Sequence, residues 1–343
     1  MYGKVFISIK TKGYFALSNL DKENIKKSLI NNRNILTVTP EIIDPDYVFA
    51  QIVGKITYNP NLTTKDPIQL IDEVRNAIGR YNNEQLNSFN STFKKATLQS
   101  YMESADASIT SSDVNIYLQK RLPISLNTNK TYRFSFNAPL RKGDFVNKLF
   151  SFPQIALNDR SFTSRLVYIE ETPSSFTGID SINILSSGIN YELGTTVTIT
   201  GDGVGATAEP VIINGKLSRI NIISKGINYT RATVSIVSDV GNGATALPVL
   251  ESRIGTLRTY YYQANGQKVI LNSDAGAINY DTGLITINSI TPLSVATNDF
   301  YDTNILTVSA VPQSQIISPQ RNRIITIDMD NFQSIQLEAI AQT

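Results

Sequence analysis

Cysteine and histidine are both missing from this 343-residue chain, and tryptophan with them. Without cysteine there can be no disulfide, no thiolate zinc cluster and no thiol nucleophile. Without histidine the usual general base near neutral pH, the Ser-His-Asp triad and most transition-metal sites are gone too. Whatever chemistry remains would have to run on carboxylates, lysines or oxygen-ligated cations. An excess of charge is also lacking: 31 basic against 29 acidic residues leave +2, with no basic stripe of the kind that nucleic-acid binding requires. No run approaches the roughly 18 consecutive apolar residues of a membrane-spanning helix, and Met1 to Lys10 lacks the apolar stretch of a signal peptide. The absences therefore point away from enzymes, nucleic-acid binders and membrane-inserted proteins. What is present, 41% hydrophobic residues, is ample for packed cores, and the length favours two or three domains.

Asp66 to Ser112 is the one long stretch that reads as helix. Asp66 is placed as an N-cap, Pro67 follows at the first helical position, and Ile68, Ile71, Val74 and Ile78 recur on one face. Asp72, Glu73, Arg75, Asn76 and Arg80 occupy the other face. A second run, Leu86, Phe89, Phe93 and Ala96, follows a turn predicted at Asn82–Asn83, which gives a helical hairpin. Such helices need a surface on which to bury their stripe, and the flanking strands must supply it.

Those strands start almost at once. Lys4 to Lys10 alternates around Val5, Ile7 and Ile9, so the chain is expected to be a piece of a longer architecture. Ser18 reads as an N-cap for a helix with Leu20, Ile25 and Leu29 facing the core, and strands follow at Ile35–Val38 and Tyr47–Tyr58. Val114, Ile116 and Leu118 alternate, as do Tyr132, Phe134 and Phe136; Phe145–Leu157 is apolar but interrupted by Pro153, and Arg165–Glu170 returns to strand. From Gly178 to Leu250 the composition shifts to Gly, Ser, Thr, Val, Ile and Asn, and the sequence repeats with an offset of 38. Gly188-Ile189-Asn190-Tyr191 returns as Gly226-Ile227-Asn228-Tyr229, and Gly205-Ala206-Thr207-Ala208 as Gly243-Ala244-Thr245-Ala246. Two copies are too few for a solenoid, so they are expected to pack on each other as a small all-β module. Beyond it, Asn265-Gly266 predicts a type I′ hairpin and Asp281-Thr282-Gly283 a second one. Strands are then expected at Ile305–Val311, Arg323–Asp328 and Ser334–Ile340. The expectation is a strand-dominated α+β chain: a βαββ domain over 1–58, a discontinuous α+β core over 59–177 and 251–343 with the helical hairpin packed on mixed sheets, and an inserted β module over 178–250.

Four groups of residues invite a chemical reading. Asp44 and Asp46 around Pro45 could hold a cation, although a turn between strands accounts for them. Gly201-Asp202-Gly203-Val204-Gly205-Ala206 fits a loose dinucleotide-binding pattern, but no helix is expected after it to meet a pyrophosphate, and the second copy loses the pattern. Asp328 and Asp330 could form a carboxylate pair for glycan hydrolysis, which Asp328→Asn would abolish, although a solvated strand end before Asn331 accounts for them without it. Tyr260, Tyr261 and Tyr262 could stack on sugars, or lie on both faces of a strand. No catalytic, cofactor-binding or metal-ligating residue is assigned.

Leu98 to Ile109, Leu-Gln-Ser-Tyr-Met-Glu-Ser-Ala-Asp-Ala-Ser-Ile, running into the strand Val114–Leu118, resembles the baseplate wedge subunits of T-even-like contractile-tailed phages, within the broader baseplate J-like group. Gly3–Lys10, Ile43–Tyr47, Ile278–Ile285 and Arg321–Ile325 are similar to the same family in the same order. The match is to the C-terminal portion of such subunits, and the 178–250 module is not a core family feature. The resemblance implies a structural virion protein of the tail baseplate, assembled in the host cytoplasm. It implies partners of two kinds, other copies of the chain and other wedge proteins, with copies joining wedges into a ring around the hub that rearranges on sheath contraction. It carries over no catalytic residue, cofactor, metal or small-molecule substrate. The alternative is a receptor- or glycan-binding tail module that uses the inserted repeats.

Overall fold

The computed structural model describes residues 3–11, 15–30, 38–143, 148–158, 164–172, 178–229, 231–251, 253–318 and 322–342. Strands hold 54% of the chain and helices 14%, the strand-dominated α+β composition expected. The largest sheet is built on the antiparallel pair Asp46–Tyr58 and Ile109–Pro123. On the far side of Ile109–Pro123 the sheet continues through Ile305–Ala310, Phe150–Phe152, Arg165–Glu171, Ile254–Tyr262, Lys268–Asn279, Leu284–Ile290 and Lys130–Ser135. On the far side of Asp46–Tyr58, Arg323–Thr326 and Ile335–Ala341 run parallel to it. Arg323 then links the two ends of this path, because its guanidinium donates to the carbonyls of Phe136 at 2.8 Å and Ser135 at 3.3 Å. Val114, Leu118, Ile52 and Ile56 join Phe136, Ile285 and Leu257 in one continuous hydrophobic cluster.

Among the described residues three α-helices accompany the sheets: α1 (Asn19–Ile25), α2 (Pro67–Gln85) and α3 (Lys95–Glu103). Helix α2 begins where the sequence places it. Asp66 accepts from the Gln69 N–H at 2.8 Å, and the Gln69 side chain accepts from the Asp66 N–H at 3.1 Å, a reciprocal capping box behind Pro67. Asp66→Ala is expected to cost about 1 kcal/mol in a urea titration. The buried stripe is Leu70, Val74, Ala77, Ile78 and Tyr81, whereas Ile68 faces outward at 71% exposure. The predicted turn at Asn82–Asn83 does not form there: α2 runs on through Gln85. Asn82 instead points inward, and the break falls at 86–94, where Asn87 and Asn90 take left-handed backbone conformations. Helix α3 then buries Leu98 and Met102, with Phe93 ahead of it buried and Ala96 exposed.

The first elements keep the expected β-α-β-β order but not a shared sheet. Gly3–Ser8 pairs in parallel with Val38–Ile43 as a sheet of two, and Asp46–Tyr58 belongs to the main sheet. Long, apolar and buried at Val48, Ala50, Ile52 and Ile56, that strand finds far more surface there. Ser18 caps α1 as predicted, accepting from the Asp21 N–H at 3.1 Å, but Leu20 is 70% exposed. The predicted strand residues 35–37, Phe145 to Asn147 and Arg321 lie outside the described residues.

The hairpin at Asn265–Gly266 forms through a different turn. Gly266 donates to Gln263 and alone takes a positive φ, +79°, so the central pair is Ala264–Asn265 with glycine following in the left-handed position. The second hairpin turns at Asp281–Gly283, as predicted.

Candidate functional site

Three of the four aspartates singled out from the sequence, Asp44, Asp46 and Asp328, meet a cation of the chain itself. Asp44 accepts from Lys22 at 2.6 Å, and Asp46 is ion-paired with both Lys120 and Arg323. Asp328 is buried and ion-paired with Arg121, whereas Asp330 is exposed on the turn after the strand, which ends at Thr326. Both line the same groove, where Asp328 is held by its ion pair with Arg121. Among the described residues no three acidic side chains converge as a metal-holding group.

Around these pairs lies a groove of about 780 Å³, lined in part by Phe15, Asp46, Phe49, Arg121, Tyr301 and Asp328. Its most prominent occupant is the Arg121 guanidinium, 3.8 Å from the centre of the Phe49 ring and 5.1 Å from that of Tyr301. Lys120 is buried beside it, and burial pushes its ammonium down to about 8, with the nearby Arg323 charge adding and the Asp46 carboxylate opposing. The unfolded chain keeps the ordinary value of 10.5, so between those two pH values the unfolded state binds the extra proton. Stability is expected to rise across that window and to lose this contribution to the slope in Lys120→Met, as read by denaturant titrations at pH 7.5, 9 and about 10.5.

Two adjacent glutamates, which periodicity alone does not reveal, organise the neighbouring strands. Glu170 is fully buried; Arg258 and Lys268 each reach it at 2.6 Å and Lys148 at 3.3 Å. Burial pushes its carboxyl up, but the hydrogen bonds from Lys268 and Arg258 and the surrounding positive charge outweigh that and hold it below the ordinary range. Glu171 faces the other way and accepts from the Gly143 N–H at 2.7 Å, the Leu149 N–H at 3.1 Å and the Tyr280 hydroxyl at 2.5 Å. For Glu171 burial dominates and raises the carboxyl. The signal in the sequence was a pair of consecutive acidic residues closing the apolar run Leu166–Ile169 of their strand. Tyr260 stacks on Tyr168 with the Lys268 ammonium 3.6 Å from its ring centre, Tyr261 packs on the core, and Tyr262 is exposed. The tyrosine run thus lies on both faces of its strand.

The glycine-rich loop at 201–205 is a strand-to-strand turn, since Val204–Ile213 follows as a strand and Asp202 accepts from the Arg231 N–H at 3.1 Å. The repeat itself has a clear structural meaning. Strand Ile179–Ile189 of the first copy pairs with Asn242–Leu250 of the second, and strand Lys216–Ile227 of the second pairs with Val204–Ile213 of the first. The middle strands pair with each other through Val197↔Ile236 and Thr198↔Ser235, two pairs that the 38-residue offset exchanges. This is a pseudo-two-fold arrangement in which each copy completes the other. The repeated tyrosines obey it: Tyr191 accepts from the Ala244 N–H at 3.1 Å, and Tyr229 from the Ala206 N–H at 3.3 Å. Gly241 lies against the Tyr191 ring and Gly203 against the Tyr229 ring, where a side chain would collide. The repeated Gly-x-Asn-Tyr and Gly-Ala-Thr-Ala segments are thus one interlock written twice.

Comparison with known proteins gives a concrete likeness. The family model for "Baseplate structural protein gp6, C-terminal domain I" matches residues 1–43, and that for "Baseplate structural protein gp6, C-terminal domain III" matches residues 46–121. The chain resembles the C-terminal portion of a baseplate wedge subunit. A curated relative, the baseplate wedge protein gp6 of Enterobacteria phage T4, is 29% identical over 150 residues. That alignment covers 44% of this chain and 22% of the relative. The boundary between the two matched domains falls where the structure changes sheets, between Val38–Ile43 and Asp46–Tyr58. The likeness is to a structural virion protein of a contractile tail, as the resemblance read from the sequence implied.

Proposed function

We propose that this chain is a structural component of a phage baseplate wedge, which self-associates and binds other wedge proteins to join wedges into a ring around the hub, and which shifts its contacts when the sheath contracts. The observation that carries this reading is the pair of gp6 C-terminal domain matches, consecutive and in chain order over residues 1–121. The candidate acidic residues fit a non-catalytic role, because Asp44, Asp46 and Asp328 are engaged in ion pairs within the fold. We take the chain to be assembled in the host cytoplasm and to end in the tail, with 178–250 as a separately folded insertion in the core. Mass spectrometry of purified tails and the solution mass of the purified chain test the proposal together. The chain is expected in tails in fixed ratio to other wedge proteins, and above monomer mass at micromolar concentration. A strictly monomeric chain missing from tails would overturn the reading.

A further inference from the structure

The described residues between Gly3 and Ile43 are mostly exposed. Among the described residues the strands Gly3–Ser8 and Val38–Ile43 stand as a parallel sheet of two, whereas parallel sheets are ordinarily covered on both faces and extended by further strands. Val5 and Phe6, adjacent and therefore on opposite faces, are 47% and 59% exposed. Helix α1 buries none of its side chains. Among the side chains described in this unit only Pro40 is buried, and none joins either hydrophobic cluster. Ordering a segment costs roughly 1.5 kcal/mol per residue, and the described side chains of this unit supply little apolar burial to offset it. The unit is also distinct in charge. Residues 1–43 carry seven basic against three acidic side chains, while the whole chain stands at +2.

We infer that the strand Gly3–Ser8 is a docking edge that takes up an extended, acidic segment of another polypeptide as an added β-strand. The inference rests on the assembly role proposed above and names the surface that serves it. The edge is suited to strand addition because its main chain contains no proline, whereas Val38–Ile43 carries Pro40 and so lacks one donor. Basic residues bracket the apolar run of Val5, Phe6, Ile7 and Ile9: Lys10 on one side and, on the other, Lys4, which is ion-paired with Glu41 at 3.0 Å but stays exposed to an incoming strand. A second copy fits less well: antiparallel self-pairing centred on Ile7 would set Lys4 opposite Lys10, and two basic units would repel. An incoming strand with apolar residues at its centre and acidic residues at its ends satisfies the hydrogen bonds, the open faces and the charge together.

Hydrogen exchange of the full chain, alone and in purified tails, tests this at the amides of residues 4–8. Rapid exchange is expected in the isolated chain, with protection rising at least about tenfold in tails. Phe6→Glu, at an exposed position, is expected to leave the melting temperature of the purified chain unchanged while lowering its incorporation into tails at least about tenfold, and Lys10→Glu to lower incorporation in the same direction. A chain present in tails with amides 4–8 unprotected overturns the docking edge but leaves the assembly role standing. A chain absent from tails overturns both. Protection that grows with the concentration of the chain alone would identify a second copy as the occupant and overturn the acidic partner.

Discussion

Replacing Asn82 with leucine is expected to lower the unfolding free energy by about 3 to 5 kcal/mol, because it leaves several buried polar groups unpaired at about 1 to 3 kcal/mol each. Asn82 is 4% exposed on the inner side of α2. Its amide donates to the Ile327 carbonyl at 3.1 Å, and its carbonyl accepts from the Ile327 N–H at 2.8 Å and the Thr326 hydroxyl at 3.2 Å. These bonds tie the helix to a strand 245 residues further along the chain, at the place where that strand leaves the sheet. Leucine branches at the same carbon and is larger, so it leaves no cavity, and loss of hydrogen bonding with some overpacking would make up the cost. Asn83→Leu, one position away and exposed, is expected to stay within about 0.5 kcal/mol. Urea titrations of the two variants decide the matter. Equal effects would mean that the bracket contributes nothing.

The same asparagine pair marks where sequence reading stops. Asp66 and Pro67 announced the start of α2 because capping is local: donor, acceptor and proline lie within four residues. The alternation Val114, Ile116, Leu118 was equally legible, since period-two burial follows from strand geometry alone. Asn82–Asn83 read as a turn by composition, but the partner that keeps Asn82 in a helix is far away in sequence and invisible to any local rule. Partner choice is also what separated Asp46–Tyr58 from the elements before it; its type was legible and its sheet was not. Leu20 was placed inward by helical spacing, a rule that presumes a core on one side, and among the described side chains of the first unit only Pro40 is buried. Glu170 and Glu171 show the remaining limit, because a charged pair at a strand end reads as solvated until three cations and a tyrosine hydroxyl are brought around it. The repeat was the most legible long-range feature. Its 38-residue offset gave two β copies, and the exchange of strands between them followed only from the ladder registers.

That exchange sets up the second large effect: Gly226→Val is expected to unfold residues 178–250 while leaving the main core folded. Gly226 holds φ at +65°, where a β-branched residue is strained by about 1 to 2 kcal/mol before any contact is counted. A Cβ there would stand 2.5 Å from the Ala206 nitrogen and 2.7 Å from the Val204 oxygen, both main-chain atoms of the paired strand. Neither can move without breaking the ladder, so overlap adds about 1 to 3 kcal/mol more. The module has little reserve, since its fully enclosed cluster is Ile179, Ile182, Leu217, Ile220 and Tyr229. Its ends are pinned to each other: the Glu251 N–H donates to the Gly178 carbonyl at 2.9 Å, and the Gly178 N–H to the Glu251 carboxylate at 3.0 Å. Such a closed neck lets the insertion open without pulling on the strands Arg165–Glu171 and Ile254–Tyr262 that carry it. Hydrogen exchange should therefore show protection lost across 179–250 and kept in α2 and in Ile109–Pro123. Gly188→Val, the pseudo-two-fold equivalent at φ +59°, is expected to match it within about 1 kcal/mol, because its Cβ would meet the Ala244 nitrogen at 2.5 Å. Protection lost throughout in one transition would show that insertion and core fold as one unit, and unequal glycine variants would show that the two copies do not support each other alike.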